Sequence, residues 1–131
     1  MSETNYLKKY QVVEIKSRRF DIVFLEPAID FLDQLDLKTR RKIYYRLDRA
    51  RFGLDSRLFK KLTDSIWEFR VGHRGLQFRL FAFWDRSDKN TSLVICTHGI
   101  VKKTNKVSPK EIDRATKMRE NYFKGNYGRR A

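Results

Sequence analysis

The chain has 131 residues, 40% of them hydrophobic and 14% aromatic. That size and apolar content suit one domain with a real core and exclude global disorder. Its 30 Lys+Arg against 16 Asp+Glu give a formal net charge of +14, a field that draws in polyanions: nucleic acid or a ribosome first, then an acidic protein, then an anionic membrane.

Residues 1–19 are polar and basic and read as an N-terminal extension, with one short strand expected over residues 10–15. They do not resemble a signal peptide, and no 18-residue apolar run follows, so no membrane span is expected. The single Cys96 sits in the apolar run Leu93-Val94-Ile95-Cys96 and reads as a small buried hydrophobe. One cysteine gives neither a disulfide framework nor a zinc site and fits the cytoplasm.

Phe20-Asp21-Ile22-Val23-Phe24-Leu25, rich in β-branched and aromatic residues, predicts a strand. Pro27 suits the first turn of a helix whose Ala28, Leu32 and Leu35 share a face. Asp36 is placed to cap a second helix, in which Ile43, Leu47, Ala50 and Leu54 form a buried stripe and Gly53 is the stop. The basic run Arg40, Arg41, Lys42, Arg46, Arg49 and Arg51 is either the wet face of that helix or a dock for RNA backbone. Tyr44 and Tyr45 beside it either stack bases or pack inward.

Residues 55–65 read as a loop carrying Arg57, Lys60 and Lys61. Strands over residues 65–71 and 76–84 then flank Gly72-His73-Arg74-Gly75, a four-residue hairpin turn. Pairing Val71 with Leu76 puts Trp67, Phe69, Val71, Leu76, Phe78 and Leu80 on the core face. Glu68, Arg70, Gln77 and Arg79 then form a polar, arginine-bearing surface. A turn over residues 85–90 leads to a third strand, residues 91–98, ending at His98. Ser108-Pro109-Lys110-Glu111 opens the last helix as a capping box, with Ile112, Ala115, Met118 or Arg119, and Tyr122 inward. Gly125 ends it, and residues 125–131 are expected to be a flexible tail. The order β-α-α-β-β-β-α predicts a small α+β domain over residues 20–124: a mostly antiparallel sheet with a helical hairpin and a C-terminal helix, the helices on one side.

Phosphodiester cleavage needs a base, an acid and positive charge at phosphorus. The acids here are dispersed, which disfavours a metal-carboxylate site, so no metal and no cofactor is expected. Cations converge instead: Arg70 and Arg79 on the polar face, His98 at the next strand's end, Lys102 and Lys103 after it, Lys60 and Lys61 before the hairpin. RNA brings its own nucleophile, the 2′-hydroxyl. Each residue also has a plainer role. Arg79 can pair with Glu68 across the hairpin, Arg70 can be a solvated edge, His98 a structural histidine, and Lys102-Lys103 a solvated turn.

The joint pattern resembles the RelE/ParE toxin superfamily, and within it the phage-derived HigB-type branch. The residues that carry the resemblance are Phe59-Lys60-Lys61-Leu62, Ile66-Trp67-Glu68-Phe69-Arg70, Gln77-Phe78-Arg79-Leu80-Phe81, His98-Gly99-Ile100-Val101-Lys102-Lys103-Thr104 and Pro109-Lys110-Glu111-Ile112 with Ala115. The resemblance implies a RelE-like fold. It also implies a toxin that acts as a metal-independent, ribosome-dependent endoribonuclease on mRNA and is neutralised by a cognate antitoxin. Carried over by position, Arg79 and Lys103 brace the scissile phosphate, Arg70 orients the RNA, and His98 or Lys61 moves protons. Lys60, Lys61, Lys102, Arg40 and Arg41 are the expected RNA contacts. Some of these toxins use a C-terminal tyrosine, for which this chain offers Tyr122 and Tyr127. Two alternatives stand beside the nuclease: a ParE-type non-enzymatic toxin acting on DNA gyrase, and a basic RNA-binding module.

Overall fold

A computed structural model describes residues 19–102 and 106–125. The strand expected over residues 10–15, Lys103 and the tail with Tyr127 lie outside them. Five strands form one sheet: β1 (Asp21–Phe24), β2 (Phe59–Lys61), β3 (Trp67–His73), β4 (Leu76–Asp88) and β5 (Thr91–Lys102), in the spatial order β1-β5-β4-β3-β2. The helices are α1 (Glu26–Asp33), α2 (Leu37–Arg51) and α3 (Pro109–Phe123), with a 3-10 turn at Ser56–Leu58 before β2. The small α+β fold with a mostly antiparallel sheet is as expected from the sequence.

Three features correct the finer expectations. The segment read as a loop contains a strand, β2, which pairs antiparallel with β3 and buries Phe59 against Trp67 and Phe69 at ring separations of 4.8 and 4.3 Å. β1 pairs parallel with β5, Asp21 opposite Leu93 and Phe24 opposite Cys96, across the whole length of the domain. The helices lie on both faces of the sheet. Ala28, Leu32, Ile43, Leu47 and Ala50 of the hairpin pack with Phe69, Val71, Phe78 and Leu80 on one side. Ala115, Met118 and Tyr122 of α3 pack with Phe81, Phe83 and Ile95 on the other.

The β3–β4 turn is Arg74-Gly75, both at positive φ (52° and 77°), the twisted two-residue turn that right-handed strands favour. Val71 therefore faces Phe78, and His73 faces Leu76. The slip of two from the expected register keeps every side chain on its expected face. β5 does not stop at His98 but continues to Lys102, opposite Gln77. Helix α2 ends at Arg51, and Gly53 at φ 69° turns the chain away, so Leu54 is exposed rather than part of the stripe. Cys96 is fully buried, and burial pushes its thiol pKa far above the usual range.

Candidate functional site

Alternation along β2, β3, β4 and β5 builds a grid on the face that α3 only partly covers. One row holds Lys60, Glu68, Phe81 and His98, the next Arg70, Arg79 and Ile100, the third Gln77 and Lys102. The structure thus brings Arg70, Arg79, His98, Lys60 and Lys102 onto one face. Exposure divides them.

Arg79 is sealed. Its side chain is 0% exposed, with Nε 3.1 Å from Glu68 Oε1 and an Nη1 that donates to Gln77 Oε1 at 3.2 Å. Burial lowers the Arg79 pKa and raises that of Glu68, while each partner's charge opposes the shift in the other. The expected alternative, pairing of Arg79 with Glu68, is the arrangement found. Arg79, expected to brace the scissile phosphate, has its side chain closed off from solvent in this pairing.

His98 is likewise enclosed, at 1% exposure, with its ring stacked on Phe81 at 4.9 Å. Nε2 lies 3.1 Å from Glu111 Oε1 and Nδ1 lies 2.9 Å from Thr97 Oγ1. The Thr97 hydroxyl also reaches the Phe81 carbonyl at 3.3 Å; a neutral ring is satisfied when Nε2–H donates to Glu111 and the one Thr97 proton turns to the nearer Nδ1. Burial first, then Arg114, holds the His98 pKa below its usual value, against the pull of Glu111. The ring therefore fastens the first turn of α3 to the sheet. The Glu111 side chain reaches His98, and the Ser108 hydroxyl caps Lys110 N–H at 3.3 Å.

The accessible members are Arg70, Lys60 and Lys102. Arg70 is one-third exposed, and its Nε lies 3.9 Å from Glu68 Oε2. Lys60 and Lys102 are half-buried, and Lys102 Nζ donates to the Lys106 carbonyl. Glu68 thus lies beneath a positive rim, between a buried and an accessible guanidinium. Sequence reasoning had weighed it only as a pairing partner. Its signal was present: a carboxylate inside a core strand flanked by arginines on both sides of the hairpin.

The other expected contacts lie elsewhere. Lys61, opposite Trp67, projects to the reverse face. Arg40 is spent on the end of α1, donating to the carbonyls of Leu32 (3.1 Å), Leu35 (2.9 Å) and Asp33 (3.3 Å), while Arg41 is exposed on α2. Both belong to the hairpin side, away from the grid. Tyr122 is buried and donates to Asp85 Oδ2 at 2.6 Å, so it is structural. A groove of about 630 Å³ lined by Ile22, Phe24, Tyr44 and Tyr45 runs along the free edge of β1 and holds none of the grid cations. Among the described residues no three of His, Cys, Asp and Glu gather as a metal would require, and no helix is long and apolar enough to cross a membrane.

A search of curated proteins returns no match. Residues 30–120, well over half the chain and the stretch containing the whole cationic grid, match the family described as phage derived protein Gp49-like (DUF891). The chain belongs to that Gp49-like family.

Proposed function

We propose that the chain is the toxin of a toxin–antitoxin pair of the RelE/ParE superfamily, HigB-like, and that it cuts mRNA on the ribosome by attack of the RNA 2′-hydroxyl on the adjacent phosphorus. The observation that carries this reading is the rim of Arg70, Lys60 and Lys102 around Glu68, whose proton affinity burial has raised. Arg70 and the two lysines hold the scissile phosphate and offset charge at phosphorus. Glu68 accepts the 2′-hydroxyl proton, a task suited to a carboxyl whose pKa lies above the usual range. The O2′–P bond forms, the P–O5′ bond breaks, the departing O5′ takes a proton from a rim ammonium, Lys60 or Lys102, and the products are a 2′,3′-cyclic phosphate and a 5′-hydroxyl. Arg79 and His98 are positioning residues: one fixes Glu68, the other fixes α3 against the sheet. Lys103 remains a phosphate ligand on the strength of the sequence alone. The partners of this reading are an antitoxin, the ribosome and mRNA, in the cytoplasm, with no cofactor.

The burial of Arg79 in an ion pair and of His98 in a hydrogen bond to Glu111 favours a second reading, a non-enzymatic ParE-type toxin on the same scaffold, because two of the expected catalytic groups are withdrawn from solvent. Primer extension on mRNA from cells expressing the protein separates the two. The nuclease leaves discrete cuts within translated codons, and Arg70→Ala abolishes them while urea unfolding stays within about 1 kcal/mol of the parent, as for a partly exposed pair. Growth arrest without cuts, or full cleavage by Arg70→Ala, overturns the nuclease assignment.

A further inference from the structure

The chain contains two tryptophans, and both line one groove. The groove, about 220 Å³, lies where the sheet end meets the outer part of α3 and is bordered by Lys61, Trp67, Trp84, Arg86 and Arg119, with Asp64 as its one acid. The Arg86 guanidinium sits over the Trp84 ring at 4.1 Å from its centroid. Trp67 meets Trp84 edge to face at 6.0 Å and stacks on Phe59. The Trp84 indole N–H is buried and has no acceptor among the described residues. Three cations, stacked planar groups and a spare donor form the set that proteins use to hold an unpaired nucleotide.

We propose that this groove binds one nucleobase of single-stranded RNA flanking the cut, the base stacking on the outer face of Arg86 and its phosphates meeting Lys61 and Arg119. This deepens the RNA-cutting reading and rests on it for the identity of the ligand. The volume supports one planar group rather than a larger molecule, since pockets that enclose drug-sized ligands run to about 300–1,000 Å³. Strand β2 joins the two places: Lys60 faces the Glu68 rim and Lys61 faces the groove. A strand of RNA crossing the β2 edge reaches both. The larger groove between α2 and β1 lies on the hairpin side and sets two acids, Asp21 and Asp48, against a single cation, Arg51, which is paired with both.

Because both tryptophans line the groove, intrinsic fluorescence reads it directly. The probe is 2′-O-methyl tetraadenylate, which cannot supply the attacking hydroxyl; the control is tripolyphosphate, which has charge without bases. The oligonucleotide quenches emission saturably, and tripolyphosphate does not. Arg86→Ala and Arg86→Lys both weaken the oligonucleotide on the order of tenfold, because lysine keeps the charge and loses the stacking plane. Equal quenching by tripolyphosphate, or an Arg86→Lys variant that binds like the parent, overturns the groove as a base site. Quenching without mRNA cleavage by the parent supports the groove and sinks the nuclease reading. Cleavage without quenching does the reverse.

Discussion

Arg79→Ala separates a buried brace from a catalytic contact. The substitution removes the cation and leaves Glu68, 4% exposed, as an uncompensated charge in the sheet. Removing one partner of a buried pair costs about 3–5 kcal/mol, a large share of the roughly 5–15 kcal/mol that holds a domain together. With a urea dependence of roughly 1–3 kcal/mol per molar, the unfolding midpoint falls on the order of 2 M. Replacing both partners with apolar groups, Glu68→Leu with Arg79→Met, removes the charge as well as the pairing and returns stability to within about 1–2 kcal/mol of the parent. That double variant folds and, on the proposed nuclease reading, loses RNA cleavage. The pH dependence supplies a check on sign. The Glu68 pKa is raised above its usual 4.5, so the folded state is favoured by protonation and penalised as pH rises through that window. Loss of Arg79 deepens the penalty, so its deficit is largest near neutrality and shrinks in acid. Urea titrations of the three proteins across this range decide the matter. An Arg79→Ala protein within 1 kcal/mol of the parent, or a double variant no more stable than the single, refutes the reasoning.

Gly99→Ala places a Cβ 2.3 Å from the Phe31 ring, so it destabilises by about 1–3 kcal/mol in thermal unfolding, and Phe31→Ala in the same background recovers part of the loss. Arg40→Ala leaves the α1 carbonyls without their donor and costs about 1–3 kcal/mol, whereas Arg41→Ala on the same helix changes unfolding by less than about 0.5 kcal/mol. His98 is held neutral below its ordinary value of 6.5, so the unfolded chain binds the extra proton first and stability rises with pH through the window below 6.5. His98→Gln flattens that slope in urea midpoints measured at successive pH values. On the proposed RNA-cutting reading, affinity for RNA falls steeply with salt, and Arg70→Ala lowers the log–log slope by about 1 in filter-binding titrations.

The faces of β3 and β4 were legible because a period of two survives a register error of two. The buried stripes of α2 and α3 were legible at helical spacing, Ile43 with Leu47 and Ala115 with Met118. β2 was not, because three residues carry too little pattern to stand out from a basic loop. The stripe on α3 says that one face is buried without saying against which side of the sheet. A clue lay in Leu80-Phe81-Ala82-Phe83, an unbroken apolar run that only a strand covered on both faces carries, and all four residues are buried. The same cover explains which of the roles left open for Arg79 and His98 the fold adopts: pairing with Glu68 and a structural contact. Alternation marks a polar residue as outward, and a partner lets it point into the interior: the Glu68 carboxylate for Arg79, a hydrogen bond to Glu111 for His98. Arg40 shows the converse: a residue in a basic run looks like surface charge until the carbonyls it serves are in place.

The parallel pairing of β1 with β5 gives synthesis a direction. Asp21 to Phe24 precede the rest of the sheet in the chain, yet among the described residues the strand they pair with is β5, at Leu93 to Cys96. A nascent chain therefore carries an unmatched first strand while the hairpin and most of the meander emerge, a long-separation closure of the kind that slows folding. The cationic rim likewise takes its final form only once Lys102 of β5 is in place opposite Gln77.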